Sequence, residues 1–172
     1  MNVGEALEGL TGTTAARLEA LYAALLAGRL DEAAFLAAAE ALVLGANGAA
    51  VALADASLTH AVGASTALGL TAPTADASRV REGLLTLVGD ALGAETDEAY
   101  RFARYGKGEP AAKFQDAYLD GMKRRGIRGY RRVLSPGACE LCQWLRKDGY
   151  VYPSEKSFHK HVGCTCYPEP VR

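Results

Sequence analysis

Cysteine is absent from the first 138 residues, and the four present, Cys139, Cys142, Cys164 and Cys166, fall within a span of 28. Buried thiols used as small apolar core residues do not cluster this way, so a single site is expected. Met1 to Gly12 lacks a basic start followed by an apolar run. No secretory signal is therefore expected, and the thiols belong in a reducing compartment, where metal binding is favoured over disulfides. Histidine is scarce too: His60, His159 and His161. With no second histidine cluster, a catalytic metal centre has no obvious ligands, and the chain reads as a non-enzyme. His60, next to Thr59, has no cysteine or carboxylate at a useful spacing and reads as structural. Ala33 to Val62 is apolar enough to suggest a membrane span, yet Glu40, Asn47 and Asp55 interrupt it on several faces, so a soluble protein is expected. Repeats and low-complexity tails are missing.

The near-neutral total charge of −1 hides an asymmetry. Residues 1–99 carry 4 basic and 13 acidic side chains, and residues 100–172 carry 15 and 7. Six of the cations, Lys123, Arg124, Arg125, Arg128, Arg131 and Arg132, fall within ten residues. Such a stretch is a candidate contact for a nucleic-acid backbone or for an acidic protein partner. The competing reading is a solvated helix end whose cations favour the C-terminal dipole.

Apolar periodicity predicts a mainly α fold, a helical body over residues 1–126 followed by a small α+β zinc knuckle over 127–172. Thr14 is a candidate N-cap for a helix with Leu18, Leu21, Tyr22 and Leu25 on one face. Asp31 caps a second, long helix, in which Gly45 and Gly48 either introduce a kink or admit a neighbour closely. Gly69 to Ala75 reads as a loop, Asp76 as the cap of a helix burying Val80, Leu84 and Val88, and Thr96 as the cap of a shorter one. Gly106 to Glu109 reads as a turn, with Pro110 as the first residue of a helix presenting Phe114, Tyr118 and Met122. Beyond Gly126, the runs Tyr130–Leu134, Tyr150–Tyr152 and Tyr167–Val171 read as short strands.

The ligand pattern is Cys139-x2-Cys142, an 18-residue gap, and His161-x2-Cys164-x-Cys166. Two cysteines on a tight turn, here introduced by Pro136-Gly137, aim both sulfurs at one ion, and a second pair completes a tetrahedron suited to structural Zn2+. Five candidates compete for four places. The preferred set is Cys139, Cys142, His161 and Cys164, against an all-cysteine set that includes Cys166; His159 is a weaker alternative to His161. A closed four-ligand site leaves no position for a catalytic water. Trp144 and Leu145 are expected to pack the knuckle onto the helices.

These residues carry a resemblance. Gly129-Tyr-Arg-Arg-Val-Leu-Ser-Pro-Gly-Ala-Cys-Glu-Leu-Cys, then Gly149-Tyr-Val-Tyr-Pro, then His161-Val-Gly-Cys-Thr-Cys resemble the C-terminal region of phage minor head proteins of the Mu F-like head-morphogenesis family, especially those of actinobacteriophages. About 45 residues carry the match. Val162 and Thr165 depart from the proline and the basic residue usual at those positions. The resemblance implies a low-copy virion component inside the capsid near the portal, assembled in the host cytoplasm. Its partners would be portal or major capsid protein and the DNA backbone, with no membrane and no small-molecule substrate. Two other classes compete: a zinc-containing nuclease, which lacks a general base here, and a small zinc-stapled DNA-binding protein. The latter's recognition helix, Pro110 to Arg125, would offer Gln115 beside acidic Asp116 and Asp120.

Overall fold

The computed structural model describes residues 2–73, 76–91, 98–161 and 163–171. Helix makes up 66% of the described residues, which places the fold in the mainly α class, and a three-stranded sheet closes the C-terminal end. The elements run α1 Val3–Leu26, α2 Glu32–Ala61, α3 Asp76–Ala91, α4 Glu98–Arg124, β1 Gly129–Val133, α5 Glu140–Arg146, β2 Tyr152–Pro153 and β3 Tyr167–Val171.

Helix α1 begins a dozen residues before the expected Thr14 cap. Asn2 caps it, its Oδ1 accepting from the backbone N–H of Gly4 and Glu5 at 3.1 and 3.4 Å. Thr11 and Thr14 instead lie buried inside the helix. Their hydroxyls donate back to the carbonyls of Glu8 and Leu10 at 3.2 and 2.8 Å, which lets a short polar side chain sit mid-helix without an orphaned group. Asp31 caps α2 as expected, accepting from Ala34 N–H at 2.7 Å. Asp76 is the first residue of α3, and its carboxylate pairs with Lys113 and Arg79. Thr96 lies outside the described residues.

The expected turn at Gly106 to Glu109 is absent, because α4 runs unbroken through Pro110. A proline inside a helix costs about 3 kcal/mol through its missing N–H and its clash with the carbonyl four residues back. Tertiary packing offsets that cost. At Gly106 a Cβ would meet Ala15 Cα at 3.1 Å and Thr14 O at 3.2 Å, so the backbones of α4 and α1 touch where any larger side chain would hold them apart. Helix α2 is likewise continuous through Gly45 and Gly48, and neither glycine admits a neighbour, since an added Cβ would meet nothing within 4 Å.

By length and composition α2 could cross a membrane. In the fold it packs against α1, α3 and α4, and the apolarity of its open side comes from alanine and glycine at positions such as 37, 41, 45, 49 and 52. The buried polar residues of α2 face protein. Asp55, 5% exposed, accepts from the backbone N–H of Leu68, Gly69 and Leu70 at 2.9, 2.7 and 3.0 Å, pinning the loop after α2 to the helix.

The core divides into two clusters. One gathers Leu18, Tyr22, Phe35, Val43, Val80, Leu84 and Phe102, and the other Leu7, Ala54, Leu58, Phe114, Tyr118 and Met122 together with Tyr130, Tyr152, Phe158 and three cysteines of the C-terminal segment. The described residues of the C-terminal segment, 127–161 and 163–171, therefore share a hydrophobic core with the helices. In the sheet, of order β2-β1-β3, both pairings are antiparallel. Pro168 and Pro170 stand opposite Arg132 and Tyr130 on the edge strand β3, where a missing N–H is tolerated and blunts the edge against further pairing.

Burial alone would raise the Asp55 pKa, but its three backbone donors and Arg125 outweigh it and hold the carboxyl below its ordinary 3.8. A depressed folded-state pKa gives stability that is complete above about pH 4 and is lost as pH falls through the folded value. Urea unfolding of Asp55→Ala at pH 7 should show a loss of about 2 kcal/mol from the orphaned N–H groups. The variant should also lose part of the wild type's destabilisation below pH 4, and an unchanged acid limb would contradict this account.

Candidate metal centre

Two chain segments meet at the centre. In the first, β1 runs into a turn in which Ala138 N–H donates to Ser135 O at 3.1 Å and Gly137 takes a φ of +71°. Cys139 then occupies the N-cap position of α5 in extended conformation, and Cys142 lies one turn on, so both sulfurs leave the same side of the helix start. In the second segment, Cys164 N–H donates to His161 O at 3.1 Å with Gly163 at φ +81°, a tight turn that brings imidazole and thiol together.

His161 Nε2 lies 3.2 Å from Cys139 Sγ and 3.1 Å from Cys142 Sγ, and Cys142 Sγ lies 3.4 Å from Cys164 Sγ. Two groups result, Cys139, Cys142 and His161, and Cys142, Cys164 and Cys166, each with its ligand atoms within 4.8 Å of one another. Either group could hold a metal ion, and Cys142 belongs to both. In a tetrahedral site with bonds of ~2.3 Å to sulfur and ~2.0 Å to nitrogen, ligand atoms sit about 3.5 to 3.8 Å apart. The observed separations are within a few tenths of an ångström of that spacing. Cys139 is exposed, while Cys142, Cys164 and Cys166 are buried. All five candidates line one cavity of about 180 Å3. His159 is exposed and stands outside both groups, as does His60, exposed in the last turn of α2.

Electrostatics favour a cation here. Burial pushes the Cys142 thiol up to about 11. Cys164 is raised by its hydrogen bond to Cys166 and by burial. Cys166 is lowered by the same bond to Cys164 and by the N–H and hydroxyl of Ser135, 3.4 and 3.5 Å from its sulfur. Packed thiols that resist ionising together are the situation a divalent ion relieves.

Three neighbours of the centre had no distinctive signal in the sequence. Arg132, one of the six basic residues expected to meet a polyanion or an acidic partner, is only 6% exposed. Its guanidinium lies 3.6 Å from Cys142 Sγ, donates to His159 O at 2.6 Å and stacks 3.8 Å above the Phe158 ring. It is a buried cation held against the Cys142 sulfur, where it would favour the thiolate a metal requires, and it is withdrawn from any polyanion. Gln115, considered as a base reader, is buried at 1% exposure and donates through Nε2 to the carbonyls of Cys164 and Cys166 at 3.0 and 2.7 Å. It ties α4 to the ligand loop. Ser135 is the third.

The remaining basic residues divide. Arg125 holds Thr66 O at 2.6 Å and the Thr59 hydroxyl at 3.2 Å. Lys123, Arg124, Arg128 and Arg131 are exposed, Arg124 pairing with Asp120 at 2.8 Å. Trp144, expected to pack the knuckle on the helices, is instead 66% exposed, because the short α5 turns only its Cys142 side inward.

No protein-family model, no curated protein and no solved structure matches this chain.

Since a metal must displace protons from these thiols, affinity falls as pH falls. Metal release to a chromogenic chelator should accelerate steadily from pH 8 to pH 5. Arg132→Gln should weaken metal retention roughly tenfold or more at neutral pH, the usual scale for a group supporting the ligands. Retention unchanged in that variant would remove Arg132 from the centre.

Proposed function

We propose that the chain is a structural minor head protein of a phage virion, of the Mu F-like type, with a C-terminal knuckle stapled by zinc. The observation that carries the reading is the gathering of Cys139, Cys142 and His161, and of Cys142, Cys164 and Cys166, in two groups that share Cys142, within the segment that bears the family resemblance. Thiolate and imidazole donors without carboxylates suit Zn2+, and four such ligands make a closed, structural site. The preferred ligands are Cys139, Cys142, His161 and Cys164, which form an unbroken chain of contacts at 3.1 to 3.4 Å. Cys166 has Ser135 as an alternative partner.

In this role the chain is not an enzyme. The helical body offers a rigid surface for portal or major capsid protein inside the capsid, and the exposed cations Lys123, Arg128 and Arg131 face the DNA backbone without reading sequence. A recognition-helix reading loses its one neutral base-reading candidate, because Gln115 is buried.

Elemental analysis of protein purified without chelator should give one zinc per chain. The ion should survive Cys166→Ser and be lost in Cys164→Ser and His161→Ala. Metal-free wild type, or zinc retained in the latter two variants, would overturn the assignment. The virion role is tested separately by mass spectrometry of purified particles of the phage that encodes the chain. Low-copy presence in full heads supports it, and absence from particles refutes it.

A further inference from the structure

The chain's single tryptophan, Trp144, stands 66% exposed on α5, with Leu141 43% exposed one turn earlier. Tyr150 is 50% exposed. Between the two rings runs a turn of three consecutive left-handed residues, Lys147, Asp148 and Gly149, at φ 46°, 48° and 87°. Two of the three are not glycine, a backbone state that L side chains rarely adopt and that folds retain where the surroundings impose it. The turn places Lys147 Nζ 5.3 Å from the Trp144 ring centroid and 5.6 Å from that of Tyr150. Tyr150 is buttressed edge-on by Tyr152 at 4.8 Å, and Tyr152 stacks on buried Tyr130 at 5.4 Å, so its exposed ring is held from behind by the core.

Beside this aromatic face lies a groove of about 600 Å3 lined by Arg131 and Arg146, with Asp148 and Glu169 also on its walls. Arg131 Nε donates to Gly149 O at 3.1 Å, which orients the guanidinium toward the turn. Among the described residues Arg131, Arg146 and Lys147 have no ion pair, whereas Arg79, Arg81, Arg101, Lys113, Arg124 and Lys160 each have a carboxylate.

We infer that this face binds single-stranded nucleic acid, with bases stacked on Trp144 and Tyr150 and phosphates held by Lys147, Arg146 and Arg131. Exposed rings offer π-faces that only unstacked bases can use, and cations without a carboxylate partner supply the backbone contacts. A protein partner fits less well, because lysine is depleted at the centres of protein interfaces and here Lys147 lies between the rings. The inference requires a folded knuckle and is independent of the virion role.

The test titrates full-length, metal-loaded protein with a short oligothymidylate, read through the fluorescence of Trp144 and through the polarisation of a labelled oligonucleotide. Quenching should saturate, and affinity should fall with salt on a log–log slope of about −2, from three phosphates at ~0.7 each. Trp144→Ala should weaken binding roughly tenfold, and the triple variant R131Q/R146Q/K147Q should flatten the slope. Both variants alter exposed side chains, and unchanged zinc content and melting temperature would show that they fold. No binding at low salt, affinity indifferent to Trp144→Ala, or equal quenching by heparin or by duplex DNA would each overturn the inference. The last two results would leave charge alone, and absence of binding would return the patch to a protein partner.

Discussion

The C-terminal third of the molecule is organised around four sulfurs and an imidazole that gather in two adjoining groups sharing Cys142. Residues 127–171 hold three short strands and one short helix, too little to bury a core of their own, and the ligand cluster joins the two ends of that segment. Bringing thiols together creates a charge problem in a buried place. Arg132 answers part of it from the sheet, its guanidinium against Cys142 and over Phe158. Gln115 answers the hydrogen-bonding part from α4, its buried Nε2 donating to two carbonyls of the ligand loop. The centre is thus a joint between knuckle and helices as well as a staple within the knuckle.

The helical body supplies the fixed side of that joint, and it does so through an unusual crossing. Glycine at 106 lets α4 lie directly on α1, and the contact keeps α4 helical across Pro110. At the crossing Gly106 meets Ala15 and Thr14, and Thr11, Thr14 and Asn47 are all buried polar residues of the body. One end of the body is closed by α3, tied to α4 by Arg79–Glu109, Lys113–Asp76 and Arg101–Asp90. The other end carries the knuckle. A continuous α4 of 27 residues spans both, so the position of Gln115 is set by packing that begins at Phe102.

Much of this was legible in the sequence where local chemistry dominates. The Asp31 cap, the aromatic strands after Gly126 and the gathering of cysteines with His161 in the C-terminal segment all follow from turn and side-chain preferences that act over a few residues. The misreadings share a cause, which is that long-range packing overrode a local signal. Thr14 has the chemistry of a cap, but a hydroxyl can also bond back to its own helix. Pro110 has the chemistry of a helix start, but Gly106 against α1 decides otherwise. Trp144 has the apolar area of an anchor, but α5 is seven residues long and turns only Cys142 inward. Arg132 and Gln115 could not be distinguished by type from their neighbours. A five-residue strand alternates faces, so Arg131 points outward and Arg132 inward, a division visible only once the strand is placed.

The charge asymmetry along the chain takes on a different meaning once folded. It suggested an acidic half opposed to a basic half, yet much of the acidity is spent within the body: Glu40, Asp76, Asp90 and Glu109 each meet a cation from α3 or α4. Cations are removed from the count too, Arg125 by the loop that Asp55 pins and Arg132 by the thiolates. Among the described residues exposed cations outside any ion pair are spread over the body, as Arg17, Arg29 and Arg104, and the C-terminal segment, and of these Arg131, Arg146 and Lys147 stand by the turn between the exposed rings. A run of six basic residues in sequence is therefore a poor guide to the surface potential. A charge paired inside the molecule has less attraction to offer outside it, so a polyanion gains most where exposed unpaired cations lie close together, as they do beside the rings of Trp144 and Tyr150.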